Sequence, residues 1–489
     1  MNLVNCTVKW MGAMRRSSLI PPLLVSMVMM LCSIASQRGG VLYPEIEGRL
    51  PYYLAHGSLL GKIYDSDYRD WGLYQARELG DFFDYIDCQF IACCVALGHP
   101  HFLSLTHYVF LVLISLVFWK FGVEELKLGR WVVLCILLLF WTTPAIFFGG
   151  AFFRTSKVGV ALAVVVLYER IFRILRAARE SPGDHLSTLS WLACFGWAWA
   201  ATLFDRQGVF FVGVAALFLG FWFLAYREKS ALKLISAFIA ALTLSVIYNH
   251  IIAPLLTLSI NNYWPDFKYQ HLPWTDLTQQ PVFFIVSGIS LYFDTVRFFL
   301  GNIPQWGAVL VIFALAALAC VAGRQEGKPF FRAALGLFLS QTLLIWVMIV
   351  LMVLRHGALV WPDIRRVYYF LPVVSMFAMT LMLVLSWLQK RWPLPKWCLA
   401  LLLGGAILGN ILALPRHAVI LRTGQAKENY QSTPALLAAL RNLRNPQYPI
   451  TSEIAHNRVF QFFHDGRFSR SLPIEPLDKS QTIRKKSEL

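Results

Sequence analysis

Between residues 37 and 104 the chain sets Glu45, Glu47, Asp65, Asp67, Asp70, Glu78, Asp81, Asp84 and Asp87 against Arg38, Arg49, Lys62, Arg69 and Arg77. Nine acids against five bases reverse the sign of a protein whose formal net charge is +17. A carboxylate crowded by like charge or by burial acquires a raised pKa and can take a proton from a hydroxyl nucleophile. The Asp65-Ser66-Asp67 element can also chelate a divalent ion such as Mg or Mn, although a D-x-D triplet arises often by chance. Asp67, Asp70, Tyr74, Arg77, Asp81 and Asp84 step by three or four residues, so a helix beginning near Asp67 aligns them on one face and turns Trp71, Phe82, Phe83 and Ile86 elsewhere. The bland alternative is the solvated face of a helix that merely links two apolar segments. Against it, carboxylates massed at a membrane face are repelled by anionic headgroups.

A second set of residues carries the opposite charge. Arg154, Lys157, Arg206, Arg297, Arg355, Arg365 and Arg366 fall at the ends of apolar runs on the side that carries the acidic loop. Guanidinium groups bind phosphate oxygens bidentately, and cations facing a carboxylate suit a reaction with a phosphate leaving group and a hydroxyl nucleophile. Each one alone could equally anchor its helix by snorkelling to the interface.

The elements that must position these groups are transmembrane. The 489 residues are 57% hydrophobic and 15% charged, more apolar surface than a water-soluble fold of this length buries. Spans are expected over residues 17–36, 105–122, 131–149, 157–172, 188–204, 208–226, 233–252, 306–323, 334–354, 367–388 and 397–415, giving an all-α polytopic protein of about eleven transmembrane helices. Lys9, Arg15 and Arg16, then Lys127 and Arg130, then Arg170, Arg173, Arg176 and Arg179, then Arg227, Lys229 and Lys233, then Arg324, Lys328 and Arg332, then Lys390, Arg391 and Lys396 recur on alternate sides of the spans, which the positive-inside rule assigns to the cytoplasm. The net charge therefore reads as topology and not as nucleic-acid binding. The first span could also be a signal peptide ending near Ser36, and either reading puts residue 37 outside. The expected organisation is a cytoplasmic tail at 1–16, a membrane domain at 17–415 with its acidic outer loop at 37–104, and an outer segment at 416–489. One point sits badly with it: the last segment has twelve Lys and Arg against six Asp and Glu. Within it Leu436, Leu437, Leu440 and Leu443 suggest a small helical cap. No cysteine spacing fits a zinc site or a disulfide framework; Cys88, Cys93 and Cys94 could pair with one another but read rather as free buried thiols.

Asp70, Tyr74 and Ala76-Arg77-Glu78 resemble the first-loop motif of the GT-C superfamily of membrane glycosyltransferases, which includes aminoarabinose transferases, protein O-mannosyltransferases and oligosaccharyltransferases. Trp71 stands where a second acid often follows, so the choice among Asp70, Asp67 and Asp65 stays open. Phe153-Arg154-Thr155-Ser156-Lys157 is similar to the superfamily's basic turn near the donor phosphate, Asp205-Arg206-Gln207-Gly208 to its short charged turn, and Arg365-Arg366-Val367-Tyr368-Tyr369-Phe370-Leu371-Pro372 to its late Arg-Tyr and Leu-Pro pattern. The likeness covers residues 17 to about 415.

The resemblance implies membrane-parallel helices in the first outer loop and transfer of a sugar from a polyprenyl-phosphate donor to a glycan, lipid or protein acceptor. The active site would face the extracytoplasmic side of a multi-pass protein of the bacterial inner membrane. Asp70, Asp67 or Asp65 would act as general base. Tyr74, Arg77, Glu78, Arg154, Lys157, Asp205, Arg206, Arg365, Arg366 and Tyr368 would bind substrate, and a metal at Asp65 and Asp67 is not required. Tyr263, Trp264 and Trp274 would gate the lipid or stack on sugar, or form an ordinary aromatic belt. Two other classes compete. A transporter or flippase of lipid-linked sugars would show repeats and midplane charges, which are not evident here. An O-antigen-type polymerase or ligase would more often carry its large outer loop late in the chain.

Overall fold

The computed structural model describes residues 19–37, 53, 58–64, 77–97, 102–152, 155–180, 187–264, 281–282, 293, 295–356, 371–391 and 396–429. Among them the chain is helical and contains no strand. Backbone groups in lipid must be satisfied within the segment, and a helix does this without a partner. Among the described residues six helical stretches are long and apolar enough to cross a membrane: Ile20–Gln37, Leu105–Glu125, Gln207–Tyr226, Lys229–Asn261, Leu371–Lys390 and Trp397–Ala418. Arg130–Thr142, Thr188–Phe204 and Gln305–Ala314 are shorter apolar stretches.

In chain order α1 is Ile20–Gln37, α2 Leu59–Ile63, α3 Glu78–Ala96 and α4 Leu105–Trp119, which a π-helical turn at Lys120–Glu125 prolongs. Then come α5 Arg130–Thr142, α6 Pro144–Phe147, α7 Thr155–Glu180, α8 Thr188–Phe204 and α9 Gln207–Tyr226. Next, α10 is Lys229–Ile247 and α11 Ala253–Asn261. The last four are α12 Gln305–Glu326, α13 Lys328–His356, α14 Leu371–Arg391 and α15 Lys396–Asn429. Local chemistry sets several starts: the hydroxyls of Ser58, Ser104 and Ser187 each accept the amide of the residue three positions on, an N-cap arrangement.

Several helices run further than the hydropathy pattern suggests, among them α7, which passes its expected end at 172 and continues to Glu180, and α13, which starts at Lys328 instead of 334. The expected span at 233–252 continues through a π-helical turn, Tyr248–Ile252, into α11. Pro254 has no amide to donate, and the widened turn directly before it absorbs the lost register. The expected end at 415 is passed as well: α15 runs through Pro415 to Asn429, into the segment assigned to a separate tail. The leucines at 436–443 lie outside the described residues.

The core is assembled mainly from α4, α5, α7, α8, α9 and α14, with Phe118, Trp119, Phe140, Trp141, Phe211 and Met382 fully or almost fully buried. Lipid tails are as apolar as these side chains, so close packing carries the association. Gly159 on α7 shows how: a Cβ there would lie 2.2 Å from the ring of Phe204 on α8. Hydrogen bonds add to this packing. Trp141 on α5 donates to the Ser115 hydroxyl on α4 at 2.9 Å, and Gln37 Nε2 at the end of α1 donates to the Tyr108 hydroxyl on α4 at 3.0 Å.

The basic loops gather at one end of this bundle. Arg176 at the end of α7 donates to the Glu125 carbonyl at 2.6 Å, Arg179 pairs with Glu228 in the α9–α10 turn at 3.4 Å, and Ser386 near the end of α14 donates to the Leu126 carbonyl at 2.9 Å. The opposite end carries α3 and the starts of α4, α7 and α9.

Candidate functional site

At that opposite end α3 lies across the ends of α4, α7 and α8. Phe83 packs edge-on against Phe110 of α4 at 4.8 Å between ring centres and stacks on Phe204 of α8 at 5.9 Å. Gly80 permits the approach, because a Cβ there would stand 2.8 Å from the Phe204 carbonyl oxygen and 3.2 Å from Ser156 Cβ. A backbone carbonyl cannot rotate away, so a larger residue must lift α3.

The acidic face of α3 turns inward. Asp81, Asp84 and Asp87 are 2%, 1% and 0% exposed, which excludes a solvated face for these three. Asp84 Oδ1 accepts the Thr155 amide at 3.3 Å, at the first residue of α7. Asp87 accepts the Thr106 amide at 2.9 Å in the first turn of α4, and the hydroxyls of Ser104, Thr106 and Thr155 also donate to it. Helix starts present unpaired amides and a positive dipole end, and a carboxylate satisfies both. Burial raises the pKa of Asp87, and these hydrogen bonds oppose the rise. Sequence reasoning left Asp87 out of the site, and its spacing of three from Asp84 was the available signal.

Three residues that the sequence pointed to meet beside this joint. Lys157 Nζ lies 3.0 Å and Arg77 Nη1 3.9 Å from the same oxygen, Oδ2, of Asp205. The other oxygen, Oδ1, accepts the Gln207 amide at 3.0 Å and so starts α9. The Lys157 and Asp205 side chains are 6% and 7% exposed, and Arg77 is 16% exposed. Burial alone would raise the Asp205 pKa, but Lys157 first and Arg77 second hold it well below the usual carboxylate range. Asp205 thus shares one carboxylate oxygen between two cations, of which Arg77 is the more exposed.

Of the remaining expected residues, Glu78 opens α3 and is buried, and Arg206 follows Asp205 with an exposed side chain. Asp65, Asp67, Asp70, Tyr74, Arg154, Arg365, Arg366 and Tyr368 lie outside the described residues, as does most of the helix expected from Asp67, which is described from Glu78 onward. Both flanks of 65–76 are anchored. At one, the Tyr64 hydroxyl meets that of Tyr248 at 3.0 Å while Asn261 Nδ2 donates to the carbonyls of Gly61 and Tyr64. At the other, Arg77 reaches Asp205. Lys62 is buried beside the first anchor and donates to the Tyr53 carbonyl at 2.9 Å; burial lowers its pKa to about 8.

Trp264 is half exposed, and Trp274 lies outside the described residues. Cys88, Cys93 and Cys94 are free thiols, with Cys88 buried but Cys93 exposed. Among the described residues no group of three or more His, Cys, Asp or Glu could hold a metal ion. Chemically, the arrangement supplies a fixed, partly compensated pair of cations at the end of the bundle, bordered by hydroxyls and carboxylates. Comparison with protein-family models, with curated proteins and with solved structures gave no match for this chain.

Proposed function

We propose that this protein is a GT-C-type glycosyltransferase that moves a sugar from a polyprenyl-phosphate donor to an acceptor hydroxyl. In this reading the eleven apolar runs are spans, α3 lies parallel to the membrane, and the end that carries it faces the extracytoplasmic side of a bacterial inner membrane. The single observation that carries it is the convergence of Arg77, Lys157 and Asp205 on one buried cluster, since these come from three segments that the superfamily's motifs resemble.

The reaction balances as follows. The acceptor oxygen attacks the anomeric carbon, its proton passes to a carboxylate of the 65–70 segment (Asp70, or else Asp67 or Asp65), and the bond from that carbon to the phosphate oxygen breaks. The leaving polyprenyl phosphate takes the electron pair, and cations at the cluster offset its charge. Lys157 acts through Asp205 in this scheme. Its ammonium is already paired, so it fixes the site's geometry, while Arg77 and Arg206, with Arg154, Arg365 and Arg366 of the matching motifs, face the phosphate. A divalent ion at Asp65 and Asp67 is compatible with the scheme and no step depends on it.

The test is incubation of the purified full-length protein with a panel of labelled polyprenyl-phosphate sugars and candidate acceptors. Transfer from at least one donor, abolished in Asp70→Asn protein that still folds, is the expected result. Lipid-linked sugar crossing a proteoliposome bilayer with no transfer from any donor would replace this reading with the transporter.

A further inference from the structure

At the basic end four described acids, Glu125, Glu169, Glu180 and Glu228, are already committed to protein cations. Glu169, 4% exposed, lies 3.3 Å from Lys120 and 3.6 Å from Arg173; Glu125 and Glu180 both pair with Arg176, and Glu228 pairs with Arg179. Lys127, Arg130, Arg227, Lys229, Lys233 and Lys390 are exposed at the same end, and among the described residues none of them forms an ion pair. Trp222 and Tyr226 stand beside them under the Arg179 guanidinium, which lies 4.2 Å from the Tyr226 ring centre. The outcome is a cationic surface with aromatic residues at its edge.

Backbone conformation supplies a second, independent observation. Four described non-glycine residues have positive φ: Lys127 and Arg227, both at 57°, Asn262 at 59° and Asn302 at 54°. Asparagine tolerates this left-handed region, whereas most side chains meet a steric cost there, and helix ends that need it ordinarily use glycine. The other two are both long cations, and both close turns at the basic end: Lys127 between α4 and α5, Arg227 between α9 and α10. The chain accepts the left-handed conformation at two exposed cations of this surface, and the Arg227 guanidinium lies 5.6 Å from the Phe223 ring centre.

We infer that Lys127 and Arg227, with Arg130, Lys229, Lys233 and Lys390 around them, form a docking surface for anionic glycerophospholipid headgroups of the adjoining leaflet. The complementary charge that these six cations do not find among the described residues is then supplied by the bilayer. Cations near an anionic membrane surface gain attraction within a Debye length of it, and salt weakens that gain. This inference stands apart from the proposed catalytic reading, which concerns the other end of the bundle.

The experiment uses the full-length protein in mixed micelles and nanodiscs. Labelled phosphatidylglycerol and phosphatidylcholine are competed for protein-bound positions, and thermal midpoints are read in phosphatidylcholine alone. Wild-type protein is expected to prefer phosphatidylglycerol, with a preference that declines as salt is added. The double variant Lys127→Gly/Arg227→Gly should lower the preference by about fivefold per charge removed, with an unchanged or higher midpoint in phosphatidylcholine, because glycine suits positive φ. Lys127→Arg/Arg227→Lys should keep the preference. An unaltered preference in the glycine variant overturns the inference, as does a midpoint that drops in phosphatidylcholine, which would make these side chains part of the fold. Equal displacement of the lipid by soluble glycerol phosphate would reassign the surface to a small-anion site and overturn the bilayer occupant.

Discussion

Lys157, in the first turn of α7, and Asp205, between α8 and α9, form an ion pair at 3.0 Å with both side chains buried, 48 positions apart in the chain. Arg77, arriving from the first loop, shares the same carboxylate oxygen. A buried pair is sensitive to loss of one partner, because the group left behind keeps its charge without water to solvate it.

Asp205→Ala is therefore expected to cost about 3–5 kcal/mol, read by denaturation in detergent micelles. Replacing both partners, Lys157→Met with Asp205→Leu, should recover part of the loss, since the buried ammonium and carboxylate are removed together. A double variant as unstable as the single one would show that the charge pair is not the source of the effect.

Two carboxylates at this joint predict opposite responses to acid. Asp205 has a depressed pKa in the fold, so its stabilisation is complete above the unfolded value of about 3.9 and is lost as pH falls below it. Asp87 has a raised pKa, so the folded state binds its proton more tightly and stability grows as pH falls from that raised value toward about 3.9. Stability measured against pH should lose its steep acid limb in Asp205→Asn and lose the gain on mild acidification in Asp87→Asn. If the Asp205→Asn curve parallels wild type below pH of about 4, Asp205 does not carry the acid limb.

Gly80→Ala should destabilise by about 1–3 kcal/mol, despite the better helix propensity of alanine, because the new methyl meets the Phe204 carbonyl at 2.8 Å. Lifting α3 also parts Arg77 from Asp205, so donor transfer should decline in the same variant. Unchanged stability and transfer would mean that α3 is not seated through Gly80.

Much of the helical layout was legible in advance. Most of the apolar runs fall on described helices, because runs of this length have few ways to satisfy their backbone other than a helix, but the run expected at 131–149 stops at Thr142, and Pro144 opens a separate short helix. Where the pattern stopped short, at Ala253–Asn261 and beyond Pro415, hydropathy ended before the hydrogen-bond ladder did, and a ladder continues through polar residues at little cost. Arg77, Lys157 and Asp205 were each picked from short motifs, yet no spacing in sequence could say that they meet.

The acids of α3 mark the boundary between the two kinds of information. Residue type and a three-to-four residue period determined that Asp81 and Asp84 share one helical face, as they determined which turns carry the positive charge. Only the tertiary structure decided that this face is buried, that Asp84 and Asp87 cap the starts of α7 and α4, and that Asp205 compensates two cations at once. The physical reason is range: periodicity and hydropathy act over a few turns of one helix, whereas capping in trans and charge compensation depend on which helix ends the packed bundle brings together.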